Sequence, residues 1–102
     1  MKRLTVQRRA LRDLAEARAY YQREAPHMVG EFALTADSEL LHLRRHPDTG
    51  SPRYGLQLGI TGLRSWPVKK FPYIIFYMTD ETSVVVLRVL HQANDIPSHL
   101  QP

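Results

Sequence analysis

The sequence predicts an α+β domain in which an N-terminal strand and an antiparallel helix hairpin pack on a small, mainly antiparallel sheet, in the order β-α-α-β-β-β. Three observations carry that prediction. Residues 8–24 and about 27–45 each repeat apolar side chains at helical spacing. Only the short "AP" link at 25–26 separates them, which folds the two helices back on each other. Three later runs, "LRSWPVKK", "YIIFYMT" and "SVVVLRVLH", are rich in β-branched and aromatic residues.

Residues 2–6, "KRLTV", read as a short first strand. Residues 8–24, "RRALRDLAEARAYYQRE", consist largely of strong helix formers, and Ala10, Leu14, Ala17 and Tyr21 line one apolar stripe. Ala25 ends this helix because the residue before a proline avoids the helical region. In the second helix Val29, Phe32, Ala36, Leu40 and Leu43 follow one another at spacings of 3, 4, 4 and 3, and Pro47 and Gly50 stop it. From Asp48 to Thr61 periodicity is weak, and the segment reads as a loop with a short edge strand at 54–58. Asp80 and Glu81 form a tight turn between the last two strands. The central strands are apolar on both alternating faces, as in a sheet covered on both sides. The hairpin covers one face, which leaves the other for the polar tail, with Ile96 and Leu100 as anchors, or for a partner.

The chain has 102 residues, which suits a single domain over 1–102 with one modest core. There is no cysteine, which excludes disulfides and thiolate metal sites and fits a reducing cytosol. A formal net charge of +4 suits an acidic partner, either nucleic acid or an acidic protein segment. Five cations (Lys2, Arg3, Arg8, Arg9, Arg12) and no acid lie in the first 12 residues. No apolar run approaches the roughly 18 residues of a membrane span. The basic N-terminus is not followed by an apolar core of about 7–15 residues, so no signal peptide is expected.

Few motifs carry chemistry. There is no nucleophile elbow and no glycine-rich phosphate loop. His42 and His46 are one helical turn apart, as two metal ligands would be, yet no carboxylate completes the H-E-x-x-H pattern, and no metal or cofactor is expected. His91 ends the last strand, where simple alternation places it with Val85, Leu87 and Val89. Arg64 and Trp66 share a face of their strand, Lys69 and Lys70 follow, and Arg88 lies on the last strand. Cations beside aromatics can hold phosphates and stack bases. The same residues equally describe a solvated basic face with Trp66 in the core.

Four stretches in series, "ALRDLAEARAYYQREAP", "HPDTG", "GLRSWPVKKFPYIIFY" and "VLRVLHQANDI", resemble the RelE/ParE superfamily of type II toxin–antitoxin toxins, and in particular its ParE branch. The resemblance implies the RelE/ParE-like fold just described. It implies a cytoplasmic toxin that is not an enzyme but inhibits DNA gyrase by binding, blocks replication, and is neutralised by a ParD-like antitoxin whose extended segment wraps over it. Contact with nucleic acid is then only indirect. On this view Arg64, Trp66, Lys69, Lys70, Arg88 and His91 form the target-binding face. Leu14, Tyr21, Phe32 and Leu40 on the helix hairpin offer an apolar groove to the antitoxin. The alternative is a RelE-like ribosome-dependent mRNA endonuclease, with Arg64 and His91 as its catalytic pair. The chain lacks any Lys, Arg or Tyr after Arg88, which disfavours that alternative. It also departs from the R-V-L-H-G-A-R-D found in many ParE members: Gln92 replaces the glycine and Asn94 the arginine, removing one positive charge.

Overall fold

The computed structural model describes residues 2–100. Strand β1 (Arg3–Val6) leads into helix α1 (Arg8–Glu24). A single 3₁₀ turn at Pro26–Met28 reverses the chain into α2 (Val29–Arg45). A second 3₁₀ turn (Pro47–Thr49) and a short helix α3 (Arg53–Leu58) then lead to β2 (Arg64–Pro67), β3 (Tyr73–Thr79), β4 (Ser83–His91) and a last helix α4 (Ile96–Leu100). The strands form one sheet in the order β1-β4-β3-β2. β1 runs parallel to β4, and the other two pairings are antiparallel.

The helical periodicity becomes burial. Ala10, Leu14, Ala17 and Tyr21 of α1, with Phe32, Ala36, Leu40 and Leu43 of α2, are buried against Tyr73, Ile75, Tyr77, Val84, Val86 and Val89 of the sheet. Tyr21, Phe32, Phe71 and Tyr73 meet at ring-centroid distances of 5.2–6.4 Å, in the edge-on and tilted geometries that aromatic quadrupoles favour.

The opposite face is covered by the chain itself. Leu63, Phe76, Leu90 and Ile96 are buried there, with Tyr54, Ile60, Ile74, Leu87 and Leu100 packed around them. The tail therefore anchors as expected, but it does so as a helix. The segment read as a loop with an edge strand at 54–58 is also corrected to helix, over Arg53–Leu58. Its signal is a stop rather than a period: Gly59 sits in the left-handed region at φ 70° and its N–H closes on the Gly55 carbonyl. Six residues are too few to display a helical repeat.

Strand β4 departs from simple alternation. Phe76 pairs with Arg88 while Tyr77 pairs with Val86, so Leu87 is an extra residue opposite an unbroken β3. This bulge reverses the inward parity along β4. Val84 and Val86 face the hairpin before it, and Val89 does so after it. Leu87 and Leu90 face the other way. The expectation that His91 shares a face with Val85 and Leu87 is corrected accordingly. His91 stands opposite Tyr73, on the hairpin side with Val89.

Tyr77 ties the turn after α2 to the sheet. Its buried hydroxyl donates to the Pro47 carbonyl (2.7 Å) and accepts from the Gly50 N–H (2.9 Å). A Cβ at position 50 would lie 2.3 Å from that hydroxyl oxygen, so only glycine permits the approach. Gly50→Ala should cost about 1–3 kcal/mol through overpacking. Tyr77→Phe, which orphans both backbone partners, should cost about 1–3 kcal/mol. Urea denaturation of the two variants checks both.

Asp80 organises the β3–β4 turn by accepting from the Thr82 and Ser83 N–H groups at 2.9 and 2.7 Å. These bonds favour the ionised carboxylate and hold its pKa below the usual 3.8. Its stabilising contribution is complete above 3.8 and is lost as pH falls through the lower folded value. The amide proton shifts of Thr82 and Ser83 should therefore titrate together, with a midpoint below 3.8, in a proton–nitrogen NMR series.

Candidate functional site

The six residues expected on a target face fall into three groups. Arg64 stands opposite Tyr77 across the β2–β3 ladder. It turns toward the same turn that Tyr77 holds, and its Nη1 donates to the carbonyls of Gly50 (2.7 Å) and Asp48 (3.3 Å). A cross-strand pair thus grips one turn. Burial raises the Tyr77 pKa, while the Gly50 hydrogen bond and the nearby Arg64 charge oppose that rise. The group is a neutral phenol with a fixed donor direction.

Trp66 lies flat against His42 of α2, with ring centroids 4.8 Å apart and planes within 20°. Its indole Nε1 is buried without a partner among the described residues. His42 reaches Thr49 Oγ1 at 3.2 Å. His46 is 5.2 Å from the His42 ring, and among the described residues no cluster of three His, Cys, Asp or Glu side chains could hold a metal ion. Trp66 therefore joins the sheet to α2 and does not stand as a free stacking platform.

Lys69 and Lys70 occupy the exposed β2–β3 turn. Lys70 is in the left-handed region at φ 71° and its ammonium lies 3.6 Å from Glu31, while the Lys69 N–H donates to Glu39. This turn is next to the end of β4, since the Gln92 N–H donates to the Pro72 carbonyl. The His91 ring meets Tyr73 edge-on at 5.2 Å, and its Nδ1 accepts from the Ala93 N–H. In the neutral ring the proton is therefore on Nε2. His91 lines a cleft of about 290 Å³ with Glu16, Tyr20, Tyr73, Asn94 and His99.

Arg88 is not a free cation. It makes a bidentate pair with Asp13 of α1 (Nε–Oδ2 2.8 Å, Nη2–Oδ1 3.0 Å) and donates Nη1 to the His99 carbonyl of α4. The Asp13 hydrogen bonds raise its already high pKa, so it is charged at any working pH. Asp13 also accepts from the Val89 N–H, at the part of β4 that β1 no longer covers.

Arg64 and His91 are far apart. They pair with Tyr77 and Tyr73, at opposite ends of β3. With about 3.3 Å per residue along the strand and about 4.8 Å between strands, their backbones are roughly 16 Å apart. Their side chains are turned to separate partners, Arg64 to the Asp48 and Gly50 carbonyls and His91 to the Ala93 N–H.

The groove expected at Leu14, Tyr21, Phe32 and Leu40 is corrected. All four are buried beneath the hairpin against the sheet, because the apolar stripe of each helix is spent on the core. The larger apolar side chains that the hairpin offers to solvent are Leu11, Tyr20, Leu34 and Leu41.

Asp13 and Tyr77 were not singled out from the sequence. Tyr77 lies in an apolar run where a hydroxyl is easily overlooked. Asp13 carried one signal, a lone carboxylate in an arginine-rich first half of α1. With side chains only 13% and 9% exposed, the Arg88–Asp13 pair is desolvated on both sides. Arg88→Ala would leave a buried carboxylate without its partner and should cost about 3–5 kcal/mol, read as a shift in the urea midpoint.

Comparison with known proteins places this geometry. The family model for the ParE toxin of the type II toxin–antitoxin system, parDE, matches residues 4–96. A chain in a solved structure of the chromosomal ParDE TA system from P. aeruginosa superposes with a TM-score of 0.73 at 17% identity, covering 89% of this chain and 96% of that one. No curated protein matches the sequence. The matched family model covers every strand but the first residue of β1, together with α1, α2 and α3, and the chain belongs to the ParE toxin family of type II toxin–antitoxin systems.

Proposed function

We propose that this toxin, as one domain over residues 1–102, inhibits DNA gyrase by binding it in the cytoplasm, blocks replication, and is neutralised by a ParD-like antitoxin. The observation that carries the reading is how its cations are used. Arg64 is bound to two backbone carbonyls and Arg88 to a buried carboxylate. His91 stands at the far end of the sheet from Arg64. Phosphoryl-transfer chemistry needs cations and an acid–base group converging on one phosphate. A surface that acts by contact needs no such convergence. The accessible part of the expected face is the sheet end that carries Lys69, Lys70 and His91, while Arg64, Trp66 and Arg88 support it from within the fold.

The antitoxin contact first expected at Leu14, Tyr21, Phe32 and Leu40 passes on this reading to the outer side of α2, where Leu34 and Leu41 are exposed. Among the described residues no helix is long and apolar enough to cross a membrane.

A supercoiling assay with purified gyrase tests the proposal. The toxin should inhibit supercoiling and accumulate cleaved DNA, and Lys69→Glu with Lys70→Glu should weaken inhibition about tenfold, each lost contact being worth about 0.7 kcal/mol. Unchanged supercoiling at large excess would sink it. Cuts in translating mRNA by the wild-type protein, lost in a still-folded His91→Ala variant, would instead favour the endonuclease.

A further inference from the structure

Helix α1 carries the arginines Arg8, Arg9, Arg12, Arg18 and Arg23 and the carboxylates Asp13, Glu16 and Glu24. All of these arginines are exposed, and none has an ion-pair, hydrogen-bond or ring-stacking partner among the described residues. At about 100° per residue, Arg8, Arg12, Ala19 and Arg23 fall within about 30° of the line opposite the buried stripe of Ala10, Leu14, Ala17 and Tyr21. They form one outward ridge, about 22 Å from end to end at about 1.5 Å per residue. The carboxylates do not cancel its charge. Asp13 is paired with Arg88, Glu24 falls nearer the buried stripe, and only Glu16, about 50° off the line, is close.

The form of the ridge selects between polyanions. It is convex, and its backbone N–H and C=O groups are used inside the helix. The exposed Leu11 and Tyr20 each lie about 90° away from it. An acidic peptide would find neither main-chain bonds nor an apolar anchor there. A nucleic-acid duplex needs neither. It carries one negative charge per about 1.7 Å of its axis, so the ridge spans about a dozen of them. A helix about 10–12 Å across also fits a major groove about 12 Å wide. Guanidinium forks match phosphate oxygens. Ala15 and Ala19, both exposed, let the duplex approach closely and bring no hydrogen-bonding side chain to a base edge.

We infer that the outer ridge of α1 binds the sugar–phosphate backbone of duplex DNA through Arg8, Arg12 and Arg23, with no preference for base sequence. This goes beyond the gyrase reading, because the contact needs neither gyrase nor antitoxin. It also makes direct a nucleic-acid contact that the family resemblance implied only indirectly. Gyrase inhibition can fail while duplex binding stands, and the reverse is also true.

The test is a fluorescence-anisotropy titration of the whole chain into a fluorescein-labelled duplex of about 20 base pairs, repeated over a range of salt. Binding should fall in the range of about 10⁻⁴–10⁻⁶ M near physiological salt and be the same for two duplexes of unrelated sequence. The slope of log K against log salt should be about −2.7, from about −0.9 for each neutralised phosphate. Arg8→Gln with Arg12→Gln should reduce that slope by about 1.8, whereas Arg45→Gln with Arg53→Gln, which removes the same net charge elsewhere, should leave it unchanged. Glutamine is nearly as good a helix former as arginine, and circular dichroism checks that α1 is kept. Should helicity fall, the single Arg23→Gln at the far end of the ridge should still reduce the slope by about 0.9. Absent duplex binding, or equal losses in the two double variants, overturns the inference. So does an oligoglutamate peptide that binds the same arginines more tightly than the duplex, since the ridge would then be a site for an acidic protein.

Discussion

The ion pair between Asp13 and Arg88 is the constraint around which the rest of the fold is arranged. It joins three elements: α1 supplies the carboxylate, β4 the guanidinium, and α4 a carbonyl. The carboxylate also occupies a β4 amide that β1 is too short to reach. A buried pair is weak evidence of net stability, because desolvating two charges offsets much of their attraction. Its contribution here is to geometry, since it sets how far α1 can slide along the sheet and keeps the small α4 on the second face.

The bulge at Leu87 and the pair at Arg88 are two aspects of one arrangement. With simple alternation Arg88 would lie on the face of Val84 and Val86, within the hairpin core. The extra residue places it opposite Phe76, at the boundary of the second core, from which it can reach both α1 and α4. It also restores Val89 to the hairpin core. One inserted residue thus lets a strand that is apolar on both faces carry an arginine in its middle without leaving that charge unpaired.

How much of this was legible in the sequence follows from the range of each interaction. α1 and α2 carry helical repeats whose buried residues were readable from spacing, whereas β3 and β4 were readable as apolar strands without showing which residue faces which core. α3 and α4 span 6 and 5 residues, too short for a period to appear. The bulge was illegible because it depends on pairing between strands, and periodicity within one strand cannot report it. For the same reason the candidate site was only partly readable. Arg64, Trp66 and Arg88 were recognised as belonging together in kind, but their partners (Gly50, His42 and Asp13) lie elsewhere in the chain. The hairpin groove was misplaced because an apolar stripe shows that a face is buried without saying what buries it.

The pairing of β1 with β4 bears on how the molecule is made. Asp13 and Arg88 are 75 residues apart, and β1 has nothing to pair with until β4 exists. The β3–β4 hairpin can close locally, but the first strand must wait while the helix hairpin forms beside it. During synthesis the leading strand and its open edge are thus the last parts to be secured. A nascent chain stays without its complete sheet until the region around Arg88 has left the ribosome, so the toxin is not competent before that point.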